Sequence, residues 1–235
     1  MHPHTIVLEQ SSLELVPNRF WSQESCRVYE SRFGIPPENQ ILDENFHSDI
    51  VKKLADSQKR GRPDVAHFAL LDIVSTPAYR NGLIRPIIHT VNEDVIIVKD
   101  SVRLPRTELR FIGVMSKILR GHAGSAENRL FEYDGKRKIA EILEPLKPGR
   151  VFCLSTQGVL RNLHHFIQKE HSQERDSESL WIVGGFARGH FDEEVKSLSN
   201  DMISISELPL AAHVVTARLS YEIEQVSNLG SMPKS

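Results

Sequence analysis

"GRVFCLSTQGVLRNLHHFIQKEH", residues 149–171, places a short apolar run before a longer segment that mixes apolar and polar residues. The first part, "GRVFCLS", has the length and composition of a buried strand, and "GVLRNLHHFIQKEH" (158–171) reads as a helix. The alternation continues downstream with a polar loop "SQERDSES" (172–179), a strand "LWIVGG" (180–185), a loop, a strand "MISIS" (202–206) and a helix "LAAHVVTARLSYEIEQV" (210–226). Strands alternating with helices imply an α/β fold whose sheet contains parallel pairs.

Working upstream, "RKIAEILEPL" (137–146) is helical, and the polar, turn-rich "HAGSAENRLFEYDGKRKI" (122–139) is a candidate connection. "PRTELRFIGVMSKILRG" (105–121) is an amphipathic helix, and "IRPIIHTV" (84–91) and "DVIIVKD" (94–100) form a β-hairpin around "NE". "DVAHFALLDIV" (64–74) is apolar on nearly all sides, so it is a buried helix; Pro63 suits its first turn and Pro77 stops it. Before it, "HSDIVKKLADS" (47–57) reads as a helix ending before Gly61, and Pro17, Gly34, Pro36 and Pro37 punctuate shorter helical pieces. The N-terminal "MHPHTIVLEQSSLELV" lacks a basic segment followed by an apolar one, and reads as a first strand rather than a secretion signal.

With 235 residues and 40 % hydrophobic content, the chain can bury a full core. A net charge of −2 excludes a protein coated in positive charge, so contact with nucleic acid needs a local basic patch. Cys26 and Cys153 are the only cysteines and share no metal-binding spacing, which fits a reducing cytosol and argues against a disulfide framework. The histidines offer little to a metal: His2 and His4 lie at the terminus, and adjacent His164 and His165 splay apart on a helix. No segment is apolar for the roughly 18 residues a membrane span needs.

Three constellations carry chemistry. At 100° per residue, Arg106, Arg110 and Lys117 fall on one stripe of the helix after "VRLPR", shared with Gly113, while Phe111, Val114, Met115 and Ile118 gather opposite. The stripe is either a solvated face or a phosphate-binding one; arginine in excess of lysine, no glutamate on the stripe, and Arg103 extending the row favour phosphate. In "LWIVGGFARGHF" (180–191), Gly184, Gly185 and Gly189 mark either a tight turn or a backbone pressed against a ligand, and their spacing does not match a dinucleotide fingerprint. In "MISISELPLAAHVV" (202–215), Leu208, Leu210, Ala211 and Ala212 suit a core or close helix packing.

These constellations in this order, with "RPDVAHFALL", "VRLPRTELRF" and "GGFARG", resemble the SPOUT-class methyltransferases that modify N1 of a pseudouridine in small-subunit ribosomal RNA and assist assembly of that subunit. The similarity covers residues 59–119 and 150–222; residues 1–58 and 121–149 match no motif, and the compact N-terminus looks more archaeal than eukaryotic. The resemblance implies one SPOUT domain over 1–235, with a hairpin and basic helix at about 84–120 and a deep trefoil knot at about 150–228. The cysteine and histidine spacings make a cytoplasmic protein without a metal the expectation, and the resemblance adds a homodimer and S-adenosylmethionine held by backbone groups of three loops. Carried onto this chain, the cofactor loops are Leu154, Gly184 and Gly189, and the run Ile205, Ser206, Glu207, Leu208, Pro209 and Leu210.

The RNA side implied by the resemblance is Arg62, Arg103, Arg106 and Arg110, with Asp64 beside Arg62. Asp64 either fixes the Arg62 guanidinium or removes the N1 proton; a carboxylate held by an arginine is a poor proton acceptor, which favours orientation. Phe186 packs on the cofactor or on the core. Two other readings stand beside this one: an assembly factor that binds RNA through the same arginines without needing methylation, and a related enzyme acting on transfer RNA.

Overall fold

The computed structural model describes residues 4–173 and 178–227. Its strands are β1 (His4–Ser11), β2 (Ile84–Thr90), β3 (Asp94–Val98), β4 (Phe131–Lys136), β5 (Arg150–Leu160), β6 (Ser179–Gly184) and β7 (Asp201–Ser204). They form one sheet in the order β4-β3-β2-β1-β6-β5-β7. β1 runs parallel to β2 and β6, and β5 parallel to β6 and β7; β3 and β4 add an antiparallel extension beyond β2. The α/β class and the parallel pairs expected from the alternation are both present.

Helices cover both faces: α1 (Glu24–Phe33), α2 (Glu44–Val51), α3 (Pro63–Ser75), α4 (Pro77–Arg80), α5 (Glu108–Leu119), α6 (Ile139–Leu146), α7 (Leu163–Gln173), α8 (Glu193–Leu198) and α9 (Ala212–Val226). The period of two along β1 sends Ile6 and Leu8 into a core shared with α3, α5, α7 and α9, and Val7 into a second core against α6 and α8. A central parallel strand buried on both faces needs that continuous apolar run. α1 and α2 enclose a smaller cluster of Val16, Cys26, Leu42 and Ile50. Among the described residues, no helix is long and apolar enough to cross a membrane.

Several boundaries differ from expectation. Residues 158–160 continue β5 instead of opening a helix, because Val159 and Leu160 pair with Ile203 and Ser204 of β7; α7 begins only at Leu163. The segment expected to be a connection contains β4, an edge strand whose mostly solvent-facing side chains carry little apolar signal. α2 starts at Glu44, where Asp43 accepts a hydrogen bond from the Asn45 N–H, and ends at Val51, short of the Ser57 end expected. α5 starts at Glu108, so Arg106 lies in the segment leading into the helix rather than on it. α9 starts two residues later than expected, at Ala212. The expected loop 172–179 is partly outside the described residues, which omit 174–177.

Candidate functional site

Three loops meet at the C-terminal ends of β5, β6 and β7, the end of a parallel sheet where α/β proteins bind ligands. β5 leaves the ladder after Leu154 and rejoins it at Val159, so Ile203 of β7 faces both residues and 155–158 form an excursion between them. Gly158 permits the return: a Cβ there would lie 2.5 Å from the Ile203 backbone. Gly185 fits the chain against β1, since its Cβ would lie 2.7 Å from Cα of Ser11. Gly189 has φ +105°, a conformation that side chains resist.

The loops enclose a cleft of about 920 Å³ with its open mouth included, lined among others by Leu154, Thr156, Gly184, Phe186, Gly189 and Leu210. Pro209 also faces it, and an adjoining smaller pocket is lined by Leu154, Ile205, Ser206, Leu208 and Leu210. The structure therefore brings eight of the nine expected cofactor residues to two joined cavities; Glu207 lines neither and is exposed. Ser204 Oγ donates to the Ser206 carbonyl at 2.7 Å and the Leu208 N–H donates to Ser206 Oγ at 3.1 Å, which shapes the third loop. Phe186 packs edge-on against Phe191, 5.5 Å between centroids, so it serves the second core while also facing the cleft. Sequence reasoning missed Gly158 and Thr156; the glycine was visible, but a helical assignment hid its purpose.

The second cluster lies at the N-termini of α3 and α5. Arg62 is the residue before Pro63, and its Nε and Nη2 donate to the two carboxylate oxygens of Asp64 at 2.8 and 2.6 Å. Nη1 lies 3.6 Å from Glu44 Oε1. The bond to Asp64 raises the guanidinium above its ordinary value, keeping Arg62 charged. Burial raises the carboxyl of Glu108, and the nearby charges of Asp64 and Asp43 raise it further.

His67 ties the basic segment to α3. Its Nε2–H donates to the Pro105 carbonyl at 2.8 Å, and its ring stacks on Phe111 at 4.5 Å. Burial lowers its pKa, so the ring is neutral with its proton on Nε2. Arg103, Arg106 and Arg110 are exposed beside this anchor, and none makes a side-chain hydrogen bond or ion pair among the described residues. Lys117 departs from expectation: its Nζ lies 2.7 Å from Glu127 Oε1, so the stripe is neutralised at that end by a residue outside the helix.

Other groups read from the sequence have structural partners. His164 Nδ1 lies 2.8 Å from Glu222. Cys26 and Cys153 are buried free thiols, and burial pushes Cys153 up to about 12. Among the described residues no three His, Cys, Asp or Glu side chains converge as metal ligands.

The family model described as "EMG1/NEP1 methyltransferase" matches residues 6–224. The chain is 29 % identical over 228 residues to the ribosomal RNA small subunit methyltransferase Nep1 of Staphylothermus marinus, covering 97 % of each chain. It is 30 % identical over 224 residues to the protein of that name from Thermococcus kodakarensis, covering 95 % of this chain and 99 % of the relative. Its fold is similar to the crystal structure of Archaeoglobus fulgidus Nep1 bound to S-adenosylhomocysteine, with a TM-score of 0.80 at 28 % identity, over 97 % of this chain and 100 % of that one.

Proposed function

The chain belongs to the EMG1/NEP1 methyltransferase family, and on that premise we propose that it methylates small-subunit ribosomal RNA from S-adenosylmethionine, at N1 of a pseudouridine. The observation that carries this reading is the convergence of three backbone loops on one cleft at the ends of β5, β6 and β7. The cleft fits the cofactor: apolar Leu154, Phe186 and Leu210 line it together with Gly184 and Gly189, the largely apolar lining expected of a small-molecule site. Leu154, Gly184, Gly189, Ile205, Ser206, Leu208, Pro209 and Leu210 would hold it. When bound, it supplies an electrophilic methyl group. The deep trefoil knot expected over about residues 150–228 belongs to this reading, supported by the similarity of the fold to the Archaeoglobus fulgidus Nep1 structure.

Arg62, Arg103, Arg106 and Arg110 would grip phosphates of an RNA stem-loop, with the target base turned out of its stack to reach the cleft. The two-pronged bond from Arg62 supports an orienting role for Asp64, since both carboxylate oxygens are engaged by the guanidinium. Methylation would form an N1–C bond as the sulfonium S–C bond breaks to leave the thioether, with the N1 proton passing to solvent water, so placing that nitrogen in line is the main demand on the protein. The enzyme would act as a homodimer in the cytoplasm. Exposed Val159 and Leu160, adjacent at the end of β5, support the dimer.

The test is to incubate the chain with S-adenosylmethionine and pseudouridine-containing small-subunit RNA, then digest and weigh the nucleosides. N1-methylpseudouridine from that RNA is expected. Methylation confined to transfer RNA would move the substrate, and RNA binding without methylation would leave an assembly factor.

A further inference from the structure

The two ligands of the proposed reaction meet different elements, and the segment between those elements is built around a buried charge. Lys59 is 6 % exposed. Burying an ammonium is costly unless its donors find partners. Nζ donates to Gln10 Oε1 at 2.8 Å and to Asp192 Oδ1 at 2.5 Å, and lies 5.4 Å from the centre of the Phe186 ring. Phe186 and Asp192 bracket the loop whose Gly189 lines the cleft. The neighbouring Gln58 packs on the same loop: a Cβ on Gly189 would lie 3.2 Å from its Nε2.

Gln10 closes the ring of contacts. Its Nε2 donates to Asp192 Oδ2 at 2.5 Å, and its backbone takes φ +52°, an uncommon value for a non-glycine that needs surrounding contacts to hold it. From Lys59 the chain has little slack before Arg62. The Lys59 carbonyl accepts from Ser12 Oγ, and the Gly61 carbonyl accepts from the Glu44 N–H at 2.8 Å. Gly61 itself has φ +72° and is wedged so tightly that a Cβ would lie 2.8 Å from Val51.

We propose that Lys59 is a positioning residue that couples the cofactor loop to Arg62, so that cofactor and RNA each tighten binding of the other. The inference rests on the reading above, in which the cleft takes S-adenosylmethionine and Arg62 faces RNA. A ligand seated on the 184–191 loop fixes Phe186 and Asp192, these fix Lys59, and the taut turn at 60–61 passes that order to Arg62. Coupling of this kind is reciprocal by thermodynamic necessity.

The experiment is calorimetric titration of the full chain with S-adenosylhomocysteine, alone and with a saturating pseudouridine-containing stem-loop of small-subunit RNA, and the converse titration. The wild type should show a factor of at least about fivefold, equal in both directions. Lys59→Met should bring that factor to within about twofold of one, and Lys59→Arg should restore part of it. Asp192→Asn changes a residue whose side chain is 62 % exposed, so it reports on the same link even where Lys59→Met fails to fold. A purely structural role would weaken both affinities and leave their ratio unchanged, which would overturn the inference. A wild type that bound both ligands independently would also overturn it while leaving the proposed function standing; one that bound neither would remove both.

Discussion

With Nε and Nη2 committed to Asp64, Arg62 has Nη1 and its outer edge left for a phosphate, and Glu44 stands 3.6 Å from Nη1. The guanidinium is thus aimed before RNA arrives, and little side-chain entropy remains to be lost. If Asp64 serves only this aim, Asp64→Asn and Arg62→Ala should each weaken stem-loop binding by about 1–2 kcal/mol, roughly 5- to 30-fold. The double variant should then fall short of additivity by at least about 0.5 kcal/mol. Fluorescence anisotropy of a labelled stem-loop measures all three. A large loss of single-turnover methylation in Asp64→Asn with normal RNA affinity would instead assign Asp64 the proton. Asp64 and Arg62 were legible in "RGRPD" because two residues suffice to form the pair. Lys59 was not, since its carboxylate partner is 133 positions away and nothing local marks it.

The segment 103–117 begins with three exposed arginines and ends at a lysine that is already paired. Arg106 and Arg110 are exposed beside the His67 anchor, whereas Lys117 is paired with Glu127. Each phosphate contact releases counterions, and removing one should flatten the plot of log affinity against log salt by about 0.7–0.9. Arg106→Ala and Arg110→Ala should therefore weaken RNA binding and each lower the slope by that amount, while Lys117→Ala leaves the slope unchanged. Anisotropy across a salt series checks this, with S-adenosylhomocysteine affinity constant throughout. At this scale the sequence was informative where an element carries its own signal. α3 announces itself by Pro63 and an apolar run, and the β2–β3 hairpin by its β-branched residues. It was uninformative where a distant strand decides. Val159 and Leu160 belong to β5 only because β7 lies beside them, and β4 exists because β3 offers an edge. The candidate site was legible as glycines and small residues in two loops, but not as a cleft, because the third loop is an excursion from a strand.

For the molecule as a whole, the exposed apolar side chains Val159 and Leu160, at 58 and 50 %, lie at the end of β5. Two adjacent aliphatic side chains open to water at a strand end suit a contact with another apolar surface, and a second copy is the proposed cover. Leu160→Asp should give a monomer by sedimentation velocity where the wild type gives a dimer, since a buried unpaired carboxylate costs several kcal/mol. The position of β1 has a different kind of consequence. The first strand of the chain lies in the middle of the sheet, where His4 pairs with Ile84 on one side and with Ser179 on the other. During synthesis β1 emerges long before β6, and one of its edges waits for residues made about 175 positions later. Until then its unpaired N–H and C=O groups and its apolar faces are open to other chains. Such long-range pairings also slow folding, because loop closure comes before any contact rewards it. An unfinished sheet must therefore stay soluble on the ribosome until β6 has been delivered.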